Sequence, residues 1–387
     1  MEIQLFGQEW LGTGGLVTSN LPAGYFIFDN NRLILNGKRI NTTRPFEILE
    51  KYIRKNRVYA AGFISYDYKK YIYPEKVSKR RDIGLPLIFL IFFKGFKRKK
   101  FKQTDDFADV RSLKFSTRKE EFINMVHAAK EYISAGDIYQ INLSHRIEID
   151  GFFNTDNIFQ RLIQFQPTPY LMHIKTPYFT VISGSMELFL EKKDREIKSV
   201  PIKGTRRVGK TDEETARLKK ELADSHKEQA ENLMITDLMR NDIGRIASRG
   251  SVRVDSLFDI KQYTTVLQME STVRGQLRDG VSLGEIIKAT FPPGSVTGAP
   301  KKRAVEIIDL LEKHRREVYC GATVLMKPDG DFIMSVAIRQ SIFKGNKCYI
   351  YVGSGIVADS DPEKEYEETL IKARANLHSL GLSQYMP

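Results

Sequence analysis

The chain of 387 residues is poor in three features, and each shortage excludes a class of protein. It has two cysteines, Cys320 and Cys348. That is too few for a disulfide framework or a thiolate metal cluster, so a reducing compartment is the expected setting. Its longest apolar run, Leu87 to Phe93, is far short of the roughly 20 residues that a membrane-spanning helix needs. The opening Met1-Glu2-Ile3-Gln4 lacks the basic start and apolar stretch of an export signal. A cytoplasmic protein with no membrane partner is expected. There is no internal repeat and no low-complexity linker.

Positive charge is in excess. Lys and Arg outnumber Asp and Glu by 61 to 48, a net +13. Such a balance suits an anionic substrate, a nucleic acid or a membrane surface. Much of the excess lies in Lys94-Gly95-Phe96-Lys97-Arg98-Lys99-Lys100-Phe101-Lys102, directly after the apolar run. The expected reading is a solvated hairpin tip. With no recognition helix, finger or stacking motif beside it, no nucleic-acid partner is expected.

Residues 1–112 read as short strands and turns, among them Gly24 to Phe28, Ala61 to Asp67 and Leu87 to Phe93. Residues 113–387 read as the catalytic region. A helix starts near Arg118, with apolar Phe122, Met125, Val126, Ala129 and Ile133 at helical spacing, and Gly136 stops it. Ile138 to Leu143 and Tyr178 to Ser183 read as strands. Thr211 to Ala223, Glu228 to Arg240 and Pro300 to Glu317 read as helices, the last with proline at its first position. Tyr349 to Val352 reads as a strand running into a glycine turn, and Asp361-Pro362 caps a final helix to about Leu380. Strands and helices mix without strict alternation, which predicts an α+β fold.

One string invites a nucleotide. Gly204 to Thr211 spells G-x-x-x-x-G-K-T, with Lys210 in the phosphate-loop position. The helix after it is charged on most faces and opens with Asp212, Glu213 and Glu214, which oppose an incoming triphosphate. A phosphate-loop nucleotide-binding protein is therefore the reading set aside. Overlapping it, Pro201-Ile202-Lys203-Gly204-Thr205 sets a second lysine before a glycine turn.

Four further features fit one site. Glu228 and Glu231, and again Glu365 and Glu368, are spaced i, i+3 and share a helix face. Two such faces meeting would repel unless a cation lay between them, and all-oxygen ligands suit Mg²⁺. Either pair alone is what a solvated helix carries. Phe291 to Lys301, with Ser295 and Thr297, is a glycine-rich turn offering hydroxyls and N–H groups at a helix start. Gly353 and Gly355 flank Ser354, where missing side chains let a ligand approach the backbone. Arg339 ends an apolar strand and has the fork to grip a carboxylate.

These runs resemble the chorismate-utilising enzymes. Gly136 to Ser144, Ser185 to Leu190, Pro201 to Thr205, Ala230 to Asp242, Gly294 to Lys301, Ala337 to Arg339 and Gly353 to Glu368 follow family order between about residues 118 and 378. The resemblance implies large mixed or antiparallel sheets packed as a β-sandwich-like core, with helices outside. It implies Mg²⁺ held by Glu228, Glu231, Glu365 and Glu368, and substrate contacts from Arg339, Gly353, Gly355, Ser295, Thr297, Tyr319, Thr205, Gln140 and Gln268. Family members that add water carry lysine where this chain has Gln140. Those that form anthranilate usually carry alanine at the place of Lys203. A lysine there resembles the aminodeoxychorismate synthase branch, component I. That branch aminates chorismate toward 4-aminobenzoate and folate, with Lys203 as nucleophile and Glu187 as acid. Gln268 stands where relatives often have histidine. Neither cysteine has glutaminase-like surroundings, so ammonia is expected from a separate glutamine amidotransferase subunit. Anthranilate synthase component I is the alternative within the family.

Overall fold

The computed structural model describes residues 1–12, 14–74, 83–104 and 106–383. Two large sheets, of 10 and 12 strands, make up the fold. All pairings among the described strands are antiparallel. One apolar cluster takes Met172, Ile174 and Val181 from the smaller sheet and Phe26, Phe63 and Val324 from the larger. The inner faces of the two sheets therefore pack on each other, as in a sandwich. Leu171, one residue from Met172, points the other way and joins a cluster with Ile158, Leu162 and Leu377 of the outer helices. Period-two alternation thus divides each strand between sheet and helix.

Residues 1–112 are not a separate layer. Strands Glu2–Phe6, Leu16–Ser19 and Lys97–Arg98 join the smaller sheet, whereas Gly24–Asp29, Tyr59–Ile64 and Ile88–Phe93 join the larger. The apolar run Ile88–Phe93 is buried along its whole length. The basic stretch after it is solvated, but it is not the tip of a hairpin. It carries the chain from the larger sheet to the smaller, where Arg98 pairs with Val17.

Capping sets the helix starts. Thr211 accepts from Glu214 N, Ser225 from Glu228 N, and Asp361 from Glu363 N and Lys364 N. One helix departs from expectation. The segment beginning at Pro300 is helical only over Lys301–Leu311, not to Glu317. Beyond it the chain turns inward and buries Arg316, which is 1% exposed. Its guanidinium bonds Glu312 at 2.6 Å, Val296 O at 2.9 Å and Asn142 O at 2.6 Å. Glu312 also accepts from Ser144 N at 2.8 Å. These charge-assisted bonds replace the helical ones that the last turn would have made. They tie the glycine-rich turn to the Gln140–Phe152 strand.

Candidate active site

Lys203 lies in the strand Ile202–Arg207, which pairs with Val266–Gln276. The register shifts between Ile202 and Thr205, so Lys203 and Gly204 form a bulge. Gly204 has φ +83°, and a Cβ there would meet Leu222 at 3.0 Å and Glu228 Oε2 at 3.1 Å. Only glycine fits, and the bulge re-aims the neighbouring lysine. The Lys203 amine stands 3.7 Å from Glu231 Oε2, and its side chain is 13% exposed.

It also lies against Gly355. A Cβ on Gly355 would be 3.1 Å from Lys203 Nζ and 3.0 Å from Gln140 Nε2. The expected turn at Gly353 to Gly355 is absent. Both glycines sit inside the unbroken strand Lys347–Ile356, opposite Ser144 and Asn142 of Gln140–Phe152. Glycine is needed for clearance instead. At Gly353 a Cβ would strike Leu143 O at 2.5 Å and approach Tyr319 Oη at 3.1 Å.

Glu187 completes the centre. It follows the strand Thr180–Ser185, its N–H bonds Ser185 Oγ, and its carbonyl accepts from Val336 N. Burial pushes its carboxyl up to about 7, against the opposing pull of Ser295 and the Lys203 charge. A carboxyl so raised can hold and donate a proton near neutral pH. Folding lifts this group above its unfolded value of 4.5. Between the two values the folded chain keeps a proton that the unfolded chain has lost. Stability therefore falls as pH rises through that window. Glu187→Gln should flatten that slope in melting curves taken across the window. The same variant should lose on the order of 10²-fold or more in turnover.

The remaining candidates divide. Gln140 Oε1 and Gln268 Oε1 are buried without a hydrogen-bond partner, whereas Ser295 faces Glu187 and Ser354 faces Glu365. Buried polar atoms in native proteins are nearly always paired, so the two amide oxygens mark where a ligand would bond. Thr205 pairs directly with Gln268 across the strands. Thr297 is different. Its hydroxyl donates to Pro293 O at 2.8 Å and its N–H to Gly294 O at 3.1 Å, so both hold the turn itself. Tyr319 is buried and stacked on Tyr351 at 5.6 Å. Arg339 does not end a strand. It sits in the link from Phe332–Val336 of the larger sheet to Gln340–Lys344 of the smaller, with φ +51°. A non-glycine residue held there is strained, a feature common at functional sites. Its Nη1 bonds Lys372 O at 2.5 Å.

The two acidic helix faces do meet. Glu228 and Glu231 lie on His226–Gly244, and Glu365 and Glu368 on Pro362–Ser379. Burial raises the Glu231 carboxyl, and the charges of Glu228 and Glu368 raise it further. Burial also raises Glu365, with Glu368 adding to it. Chain cations stand among them: Arg206 bonds Glu228 at 3.2 Å, Lys203 faces Glu231, and Lys372 bonds Glu368 at 2.6 Å. Paired in this way, the carboxylates do not converge. Among the described residues no three acidic, histidine or cysteine side chains are grouped closely enough to hold a metal. The donor chemistry, all oxygen and mutually repulsive, is of the kind a hard cation takes, although as placed here the four carboxylates stand apart. Lys372 was not foreseen, although its spacing four residues after Glu368 was a legible signal. Ser354 was missed because its neighbours read as a turn.

The Gly204 to Thr211 string builds no phosphate cradle. Its first glycine is in the strand, and its backbone donors are taken. Val208 N bonds Thr265 O, Gly209 N bonds Thr215 Oγ1, and Lys210 N bonds Glu214 Oε2. The nucleotide reading, already set aside on the sequence, gains nothing from this geometry. A separate cleft lined by Tyr73, Lys302, Arg303 and Leu310 has a volume of about 60 Å³. That is well below the roughly 300 Å³ at which small-molecule sites begin. Among the described residues no helix is long and apolar enough to cross a membrane.

Comparisons with known proteins converge on this region. A family profile described as chorismate binding enzyme matches residues 22–378. Anthranilate synthase component 1 of Aquifex aeolicus is 38% identical over 319 residues, which cover 82% of this chain and 62% of that protein. The chain thus spans about six-tenths of that relative's length. Aminodeoxychorismate synthase component 1 of Bacillus subtilis is 35% identical over 363 residues, covering 84% of this chain and 77% of that one. The crystal structure of anthranilate synthase component I from Streptococcus pneumoniae superposes with a TM-score of 0.84 at 27% identity, covering 93% and 91% of the two chains.

Proposed function

The chain belongs to the chorismate-binding enzyme family, and on that premise we propose that it aminates chorismate with ammonia to 4-amino-4-deoxychorismate. The observation that carries this reading is the neighbourhood of Lys203. A primary amine, a carboxyl poised near neutrality at Glu187 that feels its charge, and the bare backbone of Gly355 lie together. An amine beside a proton-holding acid suits displacement of a poor leaving group.

The steps follow from that pairing. The neutral Lys203 amine attacks ring carbon C2. The double bonds shift, the C4 hydroxyl departs, and Glu187 gives it the proton that makes it water. Ammonia then attacks C4, the double bonds shift back, and the lysine leaves. Arg339 grips a substrate carboxylate, and Gln140 offers its unpaired amide oxygen to the ligand. Glu228, Glu231, Glu365 and Glu368 would hold Mg²⁺, which when bound supplies charge neutralisation and orientation of the ring carboxylate.

Ammonia comes from a partner of the glutamine amidotransferase class. Burial pushes the Cys320 thiol up to about 12 and raises Cys348 as well, so neither supplies the thiolate that glutamine hydrolysis needs.

The second reading is anthranilate synthesis, the activity named for the Aquifex aeolicus relative. One assay separates the two. With chorismate, Mg²⁺ and ammonium chloride, the product should keep its enolpyruvyl group and carry nitrogen at C4. Anthranilate with free pyruvate would overturn the proposal.

A further inference from the structure

Glu270 is a buried carboxyl that the steps above do not use, 7% exposed on the strand Val266–Gln276. It lies opposite Ile202 on one side and Asp259 on the other. Two residues along, on the same face of the strand, is Gln268. Gln268 is 1% exposed, and its Oε1 has no partner. Its Nε2 faces Met186 Sδ, next to Glu187. So two acceptor groups follow one another along one strand face, toward the proposed acid, which feels the charge of Glu270. One of them is already orphaned.

The outer end of this row reaches the surface. Tyr263, in the turn between Arg253–Gln262 and Val266–Gln276, donates its hydroxyl to Glu270 Oε1. Tyr263 N bonds Val266 O, which fixes the turn. The other charged groups near Glu270 are Asp259, Lys261 and Glu9, and the charge of Glu270 is felt at Glu187 and Tyr170. Lys261 is paired with Asp259 at 2.6 Å. Apart from Lys261, which Asp259 neutralises, the groups around Glu270 are acidic or aromatic, which suits a small cationic N–H donor.

We propose that this row is the route of the nitrogen donor, with Glu270 taking a proton from ammonium and Gln268 Oε1 accepting an N–H of the ammonia that moves on. The proton balance closes. Ammonium plus the Glu270 carboxylate gives ammonia plus the carboxylic acid. The acid proton then leaves through the Tyr263 hydroxyl to water. No electrons are transferred, and the lone pair released on nitrogen later forms the C4–N bond. The inference rests on the proposed use of ammonia, but not on which carbon is aminated.

The test is steady-state kinetics of the full chain with ammonium chloride, following chorismate loss. Below the pKa of ammonium, Glu270→Gln should raise the KM for ammonium on the order of 10²-fold and leave the KM for chorismate unchanged. Above that pKa, where ammonia itself is abundant, the deficit should close. Tyr263→Phe should show the same pH trend with a smaller deficit, and it keeps the hairpin if Glu270→Gln fails to fold. A deficit equal at all pH values, or one in chorismate binding, would overturn the proposal. Should the product be anthranilate while the ammonium effect persists, the chemistry assigned to Lys203 fails and this route stands. Should the product carry nitrogen at C4 while Glu270→Gln has a normal KM for ammonium, the route fails and the amination stands.

Discussion

Lys203→Arg should be at least as damaging as Lys203→Ala, with each losing on the order of 10³-fold or more in kcat. The comparison separates two roles that one alanine variant cannot. If Lys203 only neutralised charge beside Glu231, arginine would serve, since it keeps the positive charge. If Lys203 attacks carbon, arginine fails, because its guanidinium stays protonated and offers no lone pair. Arginine also brings a wider head against Gly355 and Gln140, where a Cβ on Gly355 would lie only 3.1 Å from the amine. Alanine empties the same gap, and ammonia or water entering it would sustain some direct displacement with altered products. Lys210→Ala is the internal control. Lys210 lies outside the site, with its backbone N–H committed to Glu214, so near-normal turnover is expected. Retained activity in Lys203→Arg with a dead Lys203→Ala would make the lysine an electrostatic clamp.

Removing the metal should be equally severe. Turnover should vanish in EDTA and return with Mg²⁺, and Glu231→Gln and Glu368→Gln should each cost on the order of 10³-fold. The physical ground is the arrangement of like charges. Burial, Glu228 and Glu368 all raise the Glu231 carboxyl, so the pair of helices bears a cost that a bound cation would relieve. Lys203 and Lys372 share that burden in the chain as it stands. A metal would also have to draw together carboxylates that are now paired singly with chain cations. Thermal stability gives a readout apart from turnover. Mg²⁺ should raise the melting temperature of the wild-type chain but not that of Glu231→Gln. Near-normal turnover in EDTA would remove Mg²⁺ from the scheme.

Local chemistry explains which parts of this structure were legible in the sequence. The Lys119–Ser134 helix followed from the spacing of Phe122, Met125, Val126 and Ala129, all four of which are buried. The starts at Thr211 and Asp361 followed from side chains that can cap. The failures involve partners far away in the chain. Leu311 ends its helix because Arg316 goes to a carbonyl 174 residues away, which no local pattern announces. Gly353 and Gly355 look like a turn because glycine serves turns and close approaches alike, and only the neighbouring strand with Tyr319, Gln140 and Lys203 decides between them. The basic stretch after Phe93 read as a hairpin because its crossing to the other sheet depends on pairing with Val17. For the site, the family motifs named Lys203, Glu187 and the four glutamates. They did not reveal that Thr297 is committed to its own turn, that Arg339 sits strained between the sheets, or that Glu270 lies buried behind Gln268.

Whether Lys203 attacks chorismate covalently can be tested on the intact protein. Wild-type chain is mixed with chorismate and Mg²⁺, with ammonia withheld, then quenched and weighed. The expected result is a mass increase equal to chorismate less one water, mapped by peptide sequencing to Lys203 and lost when ammonium chloride is added before the quench. Absence of any adduct, in a preparation that aminates chorismate once ammonia is supplied, would contradict attack by Lys203.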